Sequence, residues 1–319
     1  MDKYNNRGLS GLANIGNTCF INSFIQSLSH TYEFNEFLDK QYKNNEKNIL
    51  LNEWNSLRKL IWAKNCSISP KRFVYYIYAV SKQRNAIFQS HSQEDVSEFA
   101  YFLLDVFNEY LRKPKDYTIM NDNKFENYIK QSYKKEHSVI IDLFYGVQVS
   151  KMVDMKENII NEHPEMFSIL NIHILRSQNV KQLIEEYCKE EHLTDENRYA
   201  MPNTNELVDA KRSIYFYKLP KILIIVLKRF TNIITKNNVK IELDEYLNLE
   251  DLSENKQIKY ELYSINSHSG GLRGGHYTST IKNNKKWYQI NDISIRQINF
   301  NRIKSNSNVY CLFYRKIYS

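Results

Sequence analysis

The sequence predicts an α+β fold with a helical first half, a strand-rich second half and a functional site where the two meet. Three observations carry this. Apolar residues recur at helical spacing up to about residue 111, β-rich runs dominate beyond about residue 220, and the scarce glycines gather at two distant places. No internal repeat and no flexible linker separates the halves, so they are expected to share one extended core.

From Cys19, the residues Phe20, Ile21, Phe24, Ile25 and Leu28 fall on one helical stripe, and Leu51, Trp54, Leu57, Leu60 and Ile61 form a second. A third helix is expected from about Gln93 to Leu111, with Val96, Phe99, Leu103, Phe107 and Tyr110 on its apolar face. Ser92 and Asp95 would open it as a capping box, and Pro114 would stop it. Between Asp142 and Leu219 the pattern is less regular and predicts strands with one helix near Val180 to Tyr187. Ile222 to Leu227 reads as a fully buried strand, while Ile258, Tyr260 and Leu262 alternate with polar neighbours. His276 to Lys282 and Val309 to Tyr314 are two further strands.

Composition narrows the function classes. With 319 residues, 42% apolar and 25% charged, the chain buries a sizeable core and is not a disordered one. Its longest apolar run, Ile222 to Leu227, is far short of the roughly 20 residues a membrane span needs. Met1 to Arg7 is polar, so no secretory signal is expected. The net charge of +8 comes from scattered Lys and Arg with no run of five, which predicts a solvated basic surface and no nucleic-acid partner. Four widely spaced cysteines form no CxxC pair; a reducing, intracellular compartment is expected, with Cys66, Cys188 and Cys311 in the core.

Six of the eight glycines lie in two stretches, Gly11 with Gly16 and Gly270 to Gly275. The first precedes Cys19, which stands in the opening turn of the first helix, where unpaired N–H groups and the helix dipole favour a thiolate. Asn14 and Asn17 carry amide donors suited to an oxyanion. Taken alone, the segment fits a nucleophile and a capped structural helix with a buried cysteine equally well. The second stretch leads into His276, the one histidine of eight with a glycine-rich approach. Downstream, Trp287 to Asp292 supplies Asn291 and Asp292, either able to accept from the imidazole N–H on a neighbouring strand. A structural histidine remains the competing reading of those residues alone.

Together the two segments resemble the ubiquitin-specific protease family. Gly11 to Gln26 matches its pattern GLxNxGNTCxxNSxxQ, and Tyr260, Leu262, His268, Gly270, Gly275, His276 and Tyr277 match YxLxxxxxHxGxxxxGHY. Gln93 to Phe99 resembles QQDxxEF, Pro220 to Phe230 resembles PxxLxxxLKRF, and Cys311 to Tyr314 resembles the family's closing strand. The resemblance covers about residues 8 to 316. It implies one papain-like catalytic domain over 8–317, with a helical thumb lobe (about 8–130) and a β-rich palm with β fingers (about 140–317).

The resemblance also implies roles. Cys19 becomes the nucleophile, His276 the general base, Asn291 its orienting partner, Asp292 a supporting neighbour and Asn14 an oxyanion donor. Uncharged Asn291 would orient the imidazole more than stabilise its cation. Asp95 and Glu98 would meet arginines of the ubiquitin tail, although Asp95 is equally placed for capping; Gly275 and Tyr277 would line the tail's path. The implied activity is thiol-dependent removal of ubiquitin by a monomer without cofactor, in the cytoplasm or nucleus. A protease for another ubiquitin-like modifier, an inactive ubiquitin-binding scaffold and a general papain-like peptidase are the alternatives. Many members bind zinc through two CxxC pairs in the fingers; the matching stretches, near Val149 to Glu157 and Tyr199 to Thr204, hold no cysteine, so no metal is expected. Leu272 to Gly275 repeats the LRGG ending of ubiquitin, but the histidine motif already accounts for its glycines.

Overall fold

Every side chain of the first helix, α1 (Cys19–Ser29), is buried, although Asn22, Ser23, Gln26, Ser27 and Ser29 are polar. Two different environments reconcile this. The apolar face packs into an aromatic cluster in which Phe20 and Phe24 meet Phe99 edge-on, with ring centroids 5.5 and 5.6 Å apart. The polar face lies against a strand: Asn266 Nδ2 donates to Ser23 O and Ser27 Oγ, and Ser27 Oγ bonds Ser264 Oγ at 2.8 Å. Leaving those groups unpaired would cost about 1–3 kcal/mol each, so the polar face selects this neighbour.

These relations come from a computed structural model describing residues 2–89, 92–114, 123–134, 137–176, 178–230, 235–254, 258–271 and 274–317. Around α1 stand α2 (Tyr32–Lys40), α3 (Ile49–Ala63), α4 (Lys71–Gln83) and α5 (Val96–Leu111), followed by α6 (Lys124–Tyr133) and α7 (Val139–Phe144). Then come β1 (Gly146–Asp154), β2 (Ile159–Phe167), β3 (Ile169–His173), α8 (Val180–Cys188), β4 (Glu191–Leu193), β5 (Ala210–Lys218) and β6 (Ile222–Lys228). The chain closes with β7 (Tyr246–Asn248), β8 (Lys259–Gly271), β9 (Gly274–Asn283), β10 (Lys286–Asn291), β11 (Ser294–Ile298) and β12 (Val309–Ile317).

The main sheet runs β11-β10-β9-β8-β12-β6-β3, with β7 beside β8, and is antiparallel except where β6 meets β3. A second sheet, β2-β1-β5-β4, stands apart as the fingers. At its tip Asp154 Oδ1 accepts from the N–H groups of Lys156 and Asn158, which turns the β1–β2 hairpin. Among the described residues no three His, Cys, Asp or Glu side chains converge to hold a metal ion, and no helix is long and apolar enough to cross a membrane.

Two expectations need correction. α5 begins at Val96, not near Gln93, because Asp95 itself caps it, accepting from Ser97 and Glu98 N–H, while Ser92 Oγ donates to Glu94 instead. Cys188 and Cys311 are buried as expected, but Cys66 is exposed, since residues 67–68 form a short surface strand beside residues 11–12. Leu272 and Arg273 of the LRGG stretch lie outside the described residues.

Buried charge ties the lobes together. Arg315 on β12 donates to Glu33 Oε1 and His30 O, both at 2.7 Å, and its guanidinium lies over the rings of Tyr32 and Tyr263. Arg315→Ala would strand Glu33 and should lower unfolding free energy by about 3 kcal/mol in a urea titration. His30 beneath it is fully buried, and burial outweighs the Gln26 carbonyl to push its imidazole down to about 4. An unfolded histidine titrates at about 6.5, so the unfolded chain takes up a proton that the folded one refuses. His30's contribution is therefore complete above about pH 6.5 and is lost as pH falls toward about 4. The wild type should lose on the order of 2 kcal/mol more between pH 7.5 and 5 than His30→Gln does.

Candidate active site

The loop before α1 leaves the helix end open. Thr18 occupies the cap position, but its hydroxyl accepts from Ile15 N–H and its own N–H donates to Asn14 Oδ1, so its side chain caps no N–H of the first turn. Cys19 is the first helical residue and is buried. Burial pushes its thiol above the ordinary value; the Tyr277 N–H pulls the other way, the Asp292 carboxylate adds to the rise, and the Phe20 and Cys19 N–H groups oppose it. Desolvation thus outweighs the helix end, and the thiolate expected from helix position alone is not the resting form.

His276 lies near the start of β9, one residue before the Tyr277 N–H that faces Cys19. Its Nε2 meets Asn291 Oδ1, at the end of neighbouring β10, at 2.6 Å. Asn291 Oδ1 can only accept, so Nε2 carries the proton and Nδ1 is left with the lone pair. No hydrogen bond joins His276 to Cys19 among the described residues.

Asp292 follows in a left-handed turn, φ +47°, and its Oδ2 lies 4.0 Å from His276 Nε2. Its main engagement is elsewhere. Oδ2 accepts from Asn14 Nδ2 at 3.2 Å, Oδ1 from Asn22 Nδ2 at 2.9 Å, and its carbonyl from Leu12 N–H at 2.9 Å. Gly11 fits this junction because a Cβ there would lie 2.4 Å from the Ile293 carbonyl oxygen. Asn14 spends its oxygen on Thr18 and one amide hydrogen on Asp292, which leaves its second hydrogen for an oxyanion.

Cys19 stands in a cleft of about 450 Å³ whose walls include Asp95, Glu98, Gly275, Tyr277 and Phe230. Asp95 is committed on both oxygens: one caps α5 and the other accepts from Tyr310 OH. Burial, aided by repulsion from Asp95 and Glu94, pushes the Glu98 carboxyl up, so a cation arriving there would be welcome. Sequence reasoning missed two supporting residues. Asn22 matches the motif and stands three positions after Cys19 on the same helix face, which is a readable signal. Tyr310 carries none, being 215 residues from its partner.

The pH dependence of Cys19 alkylation by iodoacetamide in the free protein should have its midpoint above the ordinary cysteine value of 9.0. Asp292→Asn should lower that midpoint, because it removes a neighbouring negative charge. A midpoint near 7 in the wild type would contradict the burial argument.

The family described as ubiquitin carboxyl-terminal hydrolase matches residues 10–314. Ubiquitin carboxyl-terminal hydrolase 4 of Saccharomyces cerevisiae (strain YJM789) is 28% identical over 370 aligned positions, covering 97% of this chain and 39% of its own length. Ubiquitin carboxyl-terminal hydrolase 2 of Bos taurus is 27% identical, covering 98% of this chain and 56% of its own length. The chain thus spans between 39% and 56% of these relatives. Among solved structures, the SAGA DUB module of Ubp8, Sgf11, Sus1 and Sgf73 bound to monoubiquitin contains a chain similar at a TM-score of 0.77 and 23% identity, covering 100% of this chain and 71% of that one. A second structure of that module, bound to ubiquitin aldehyde, is similar at 0.77 over 99% of this chain. These likenesses show the α+β, papain-like fold. With the family pattern running through both lobes, the chain belongs to the ubiquitin carboxyl-terminal hydrolase family.

Proposed function

We propose that residues 8–317 form a single catalytic domain, a thiol-dependent deubiquitinase that hydrolyses the bond after the C-terminal glycine of ubiquitin. The observation carrying this reading is one cleft lined by Cys19, at an uncapped helix end, and by Gly275 and Tyr277, the two neighbours of His276, whose ring is held by Asn291 at 2.6 Å. The family membership and the ubiquitin-bound relatives supply the substrate class.

In this reading the ubiquitin tail lies extended in the cleft, with its arginines toward Asp95 and Glu98 and its glycines past Gly275 and Tyr277. His276 Nδ1 takes the Cys19 proton as the sulfur attacks the terminal carbonyl. The free Asn14 amide hydrogen and the open first-turn N–H groups of α1 receive the oxyanion. The imidazolium then protonates the departing amine, and neutral His276 activates the water that cleaves the thioester. Asn291 keeps the ring oriented, while Asp292 supports the assembly. The protein acts as a monomer in a reducing compartment, cytoplasm or nucleus, without zinc in its fingers.

Cys19→Ala should abolish release of a fluorophore from the ubiquitin C-terminus yet still bind ubiquitin; residual turnover by this variant would refute the nucleophile. A ubiquitin C-terminal electrophile should label Cys19 in the wild type, while probes carrying other modifiers should not. Preferential labelling by another modifier would move the protein to that substrate, and no labelling would favour a scaffold. Asn291→Ala should reduce kcat by about tenfold to a hundredfold and Asn291→Asp should restore most of it, since either side chain accepts from Nε2. Stoichiometric zinc in purified protein would overturn the metal-free finger.

A further inference from the structure

Among the described residues, the two arms of the hairpin that carries His276 have little packed against them at Gly271 and Gly274. Gly270, Gly271, Gly274 and Gly275 flank its tip, and a Cβ on Gly271 or Gly274 would meet nothing within 4 Å. Glycines without neighbours lose much conformational freedom when held still, and little packing repays that loss here. Yet an imidazole one residue further on must be fixed to well under an ångström to act as a base.

Polar contacts supply what packing does not. On the β8 arm, Lys236 Nζ donates to the carbonyl oxygens of His268 at 2.6 Å and Gly270 at 3.3 Å. On the β9 arm, the Gly275 N–H donates to Gln93 Oε1 at 2.8 Å. Beneath Gly275 lies the His268 ring, so near that a Cβ would stand 2.0 Å from Nε2. Gly275, the residue before His276, is therefore held between a ring below its Cα and an amide oxygen that reaches across to the Gly274–Gly275 peptide N–H. Gln93 comes from the helical lobe, two residues before Asp95, which is itself anchored to the α5 N-terminus and to Tyr310. Gln93 thus refers the position of the hairpin to the lobe that carries Cys19.

We infer that Gln93 is a positioning residue: its side-chain carbonyl holds the N–H of Gly275, the residue before His276, and so sets the direction in which the imidazole faces Cys19. This rests on the hydrolytic reading above. A direct contact between Gln93 and the ubiquitin tail is the rival role, and the two roles separate. Positioning uses the acceptor oxygen and acts on kcat, whereas tail contact acts on KM.

The test uses the full chain and ubiquitin bearing a C-terminal fluorogenic amide. Gln93→Ala should lower kcat about tenfold or more with KM within about twofold. Gln93→Glu, which keeps the acceptor and loses the NH₂, should retain at least about half of the wild-type kcat. An unchanged or raised kcat in Gln93→Ala, an effect confined to KM, or a Gln93→Glu variant as impaired as Gln93→Ala would each overturn the inference. NMR of the His276 ring gives a readout without substrate: its signals should shift in Gln93→Ala with the far-ultraviolet circular dichroism unchanged. An unmoved ring signal overturns the inference even where the wild type hydrolyses nothing. Failure of the hydrolytic reading would show separately, as a wild type that neither turns over nor labels at Cys19.

Discussion

The Asp292 carboxylate is the constraint on which the site depends. The nucleophile candidate and the base candidate are 257 positions apart in sequence, on different lobes, and something must hold them in one frame. Asp292 does so from a single turn: its two carboxylate oxygens take one hydrogen each from Asn14 and Asn22, and its carbonyl takes the Leu12 N–H. Asn14 belongs to the loop, Asn22 to α1, and Asp292 sits directly after Asn291 on the sheet. Hydrogen bonds to a charged acceptor are worth about 1.5–3 kcal/mol each, enough to fix relative position and not merely to decorate it. The arrangement has an electrostatic consequence: the same carboxylate that assembles the site adds to the rise of the Cys19 thiol.

α1 shows how the rest of the fold serves that junction. A helix at a protein surface keeps one face in water; this one is buried all round, so its polar residues must find protein partners. Asn22 reaches the loop and Asp292, Ser27 Oγ accepts from Asn266, the Ser23 hydroxyl donates to Phe20 O within the helix, and Gln26 Nε2 reaches Ser10 O at 2.7 Å. The aromatic face seats it among the helices and the polar face registers it against β8. Cys19, at the end of this rod, inherits its precision.

What the sequence discloses follows the range of the interaction involved. Apolar periodicity is local, and it anticipates α1, α3, α8 and β6 closely: Ile222 to Leu227 expected against Ile222–Lys228 found. α4 goes unread because Tyr75, Tyr76 and Tyr78 blur the stripe formed by Phe73, Val74, Ile77 and Val80. The start of α5 is misread because an acid near a helix start fits two roles, and in the fold Asp95 accepts from Ser97 and Glu98 as the cap itself. Cys66 is misplaced because cysteine's general preference for burial takes no account of an edge strand beside it. The residues of the candidate site sit in short patterns and are legible. Their second partners, Tyr310 for Asp95 and Asp292 for Asn22, are 215 and 270 residues away and leave no local trace.

The resting state of the site follows from the balance between burial and dipole. A helix N-terminus contributes about 0.3–1 kcal/mol toward an anion at an exposed position and up to about 2 when partly buried. Cys19 gains that, together with the Tyr277 N–H, yet its thiol still rises, so taking the sulfur out of water costs more than these groups return. A neutral thiol is a poor target for oxidants and chance electrophiles. In the proposed reaction the thiolate need exist only while the proton resides on His276, and the ring is already oriented by Asn291 to receive it on Nδ1. The first-turn N–H groups that fail to hold a resting anion are then free for the oxyanion, where charge develops and where they contribute most. A helix end too weak to ionise its own cysteine is, on this account, better suited to the transition state than one that is already occupied.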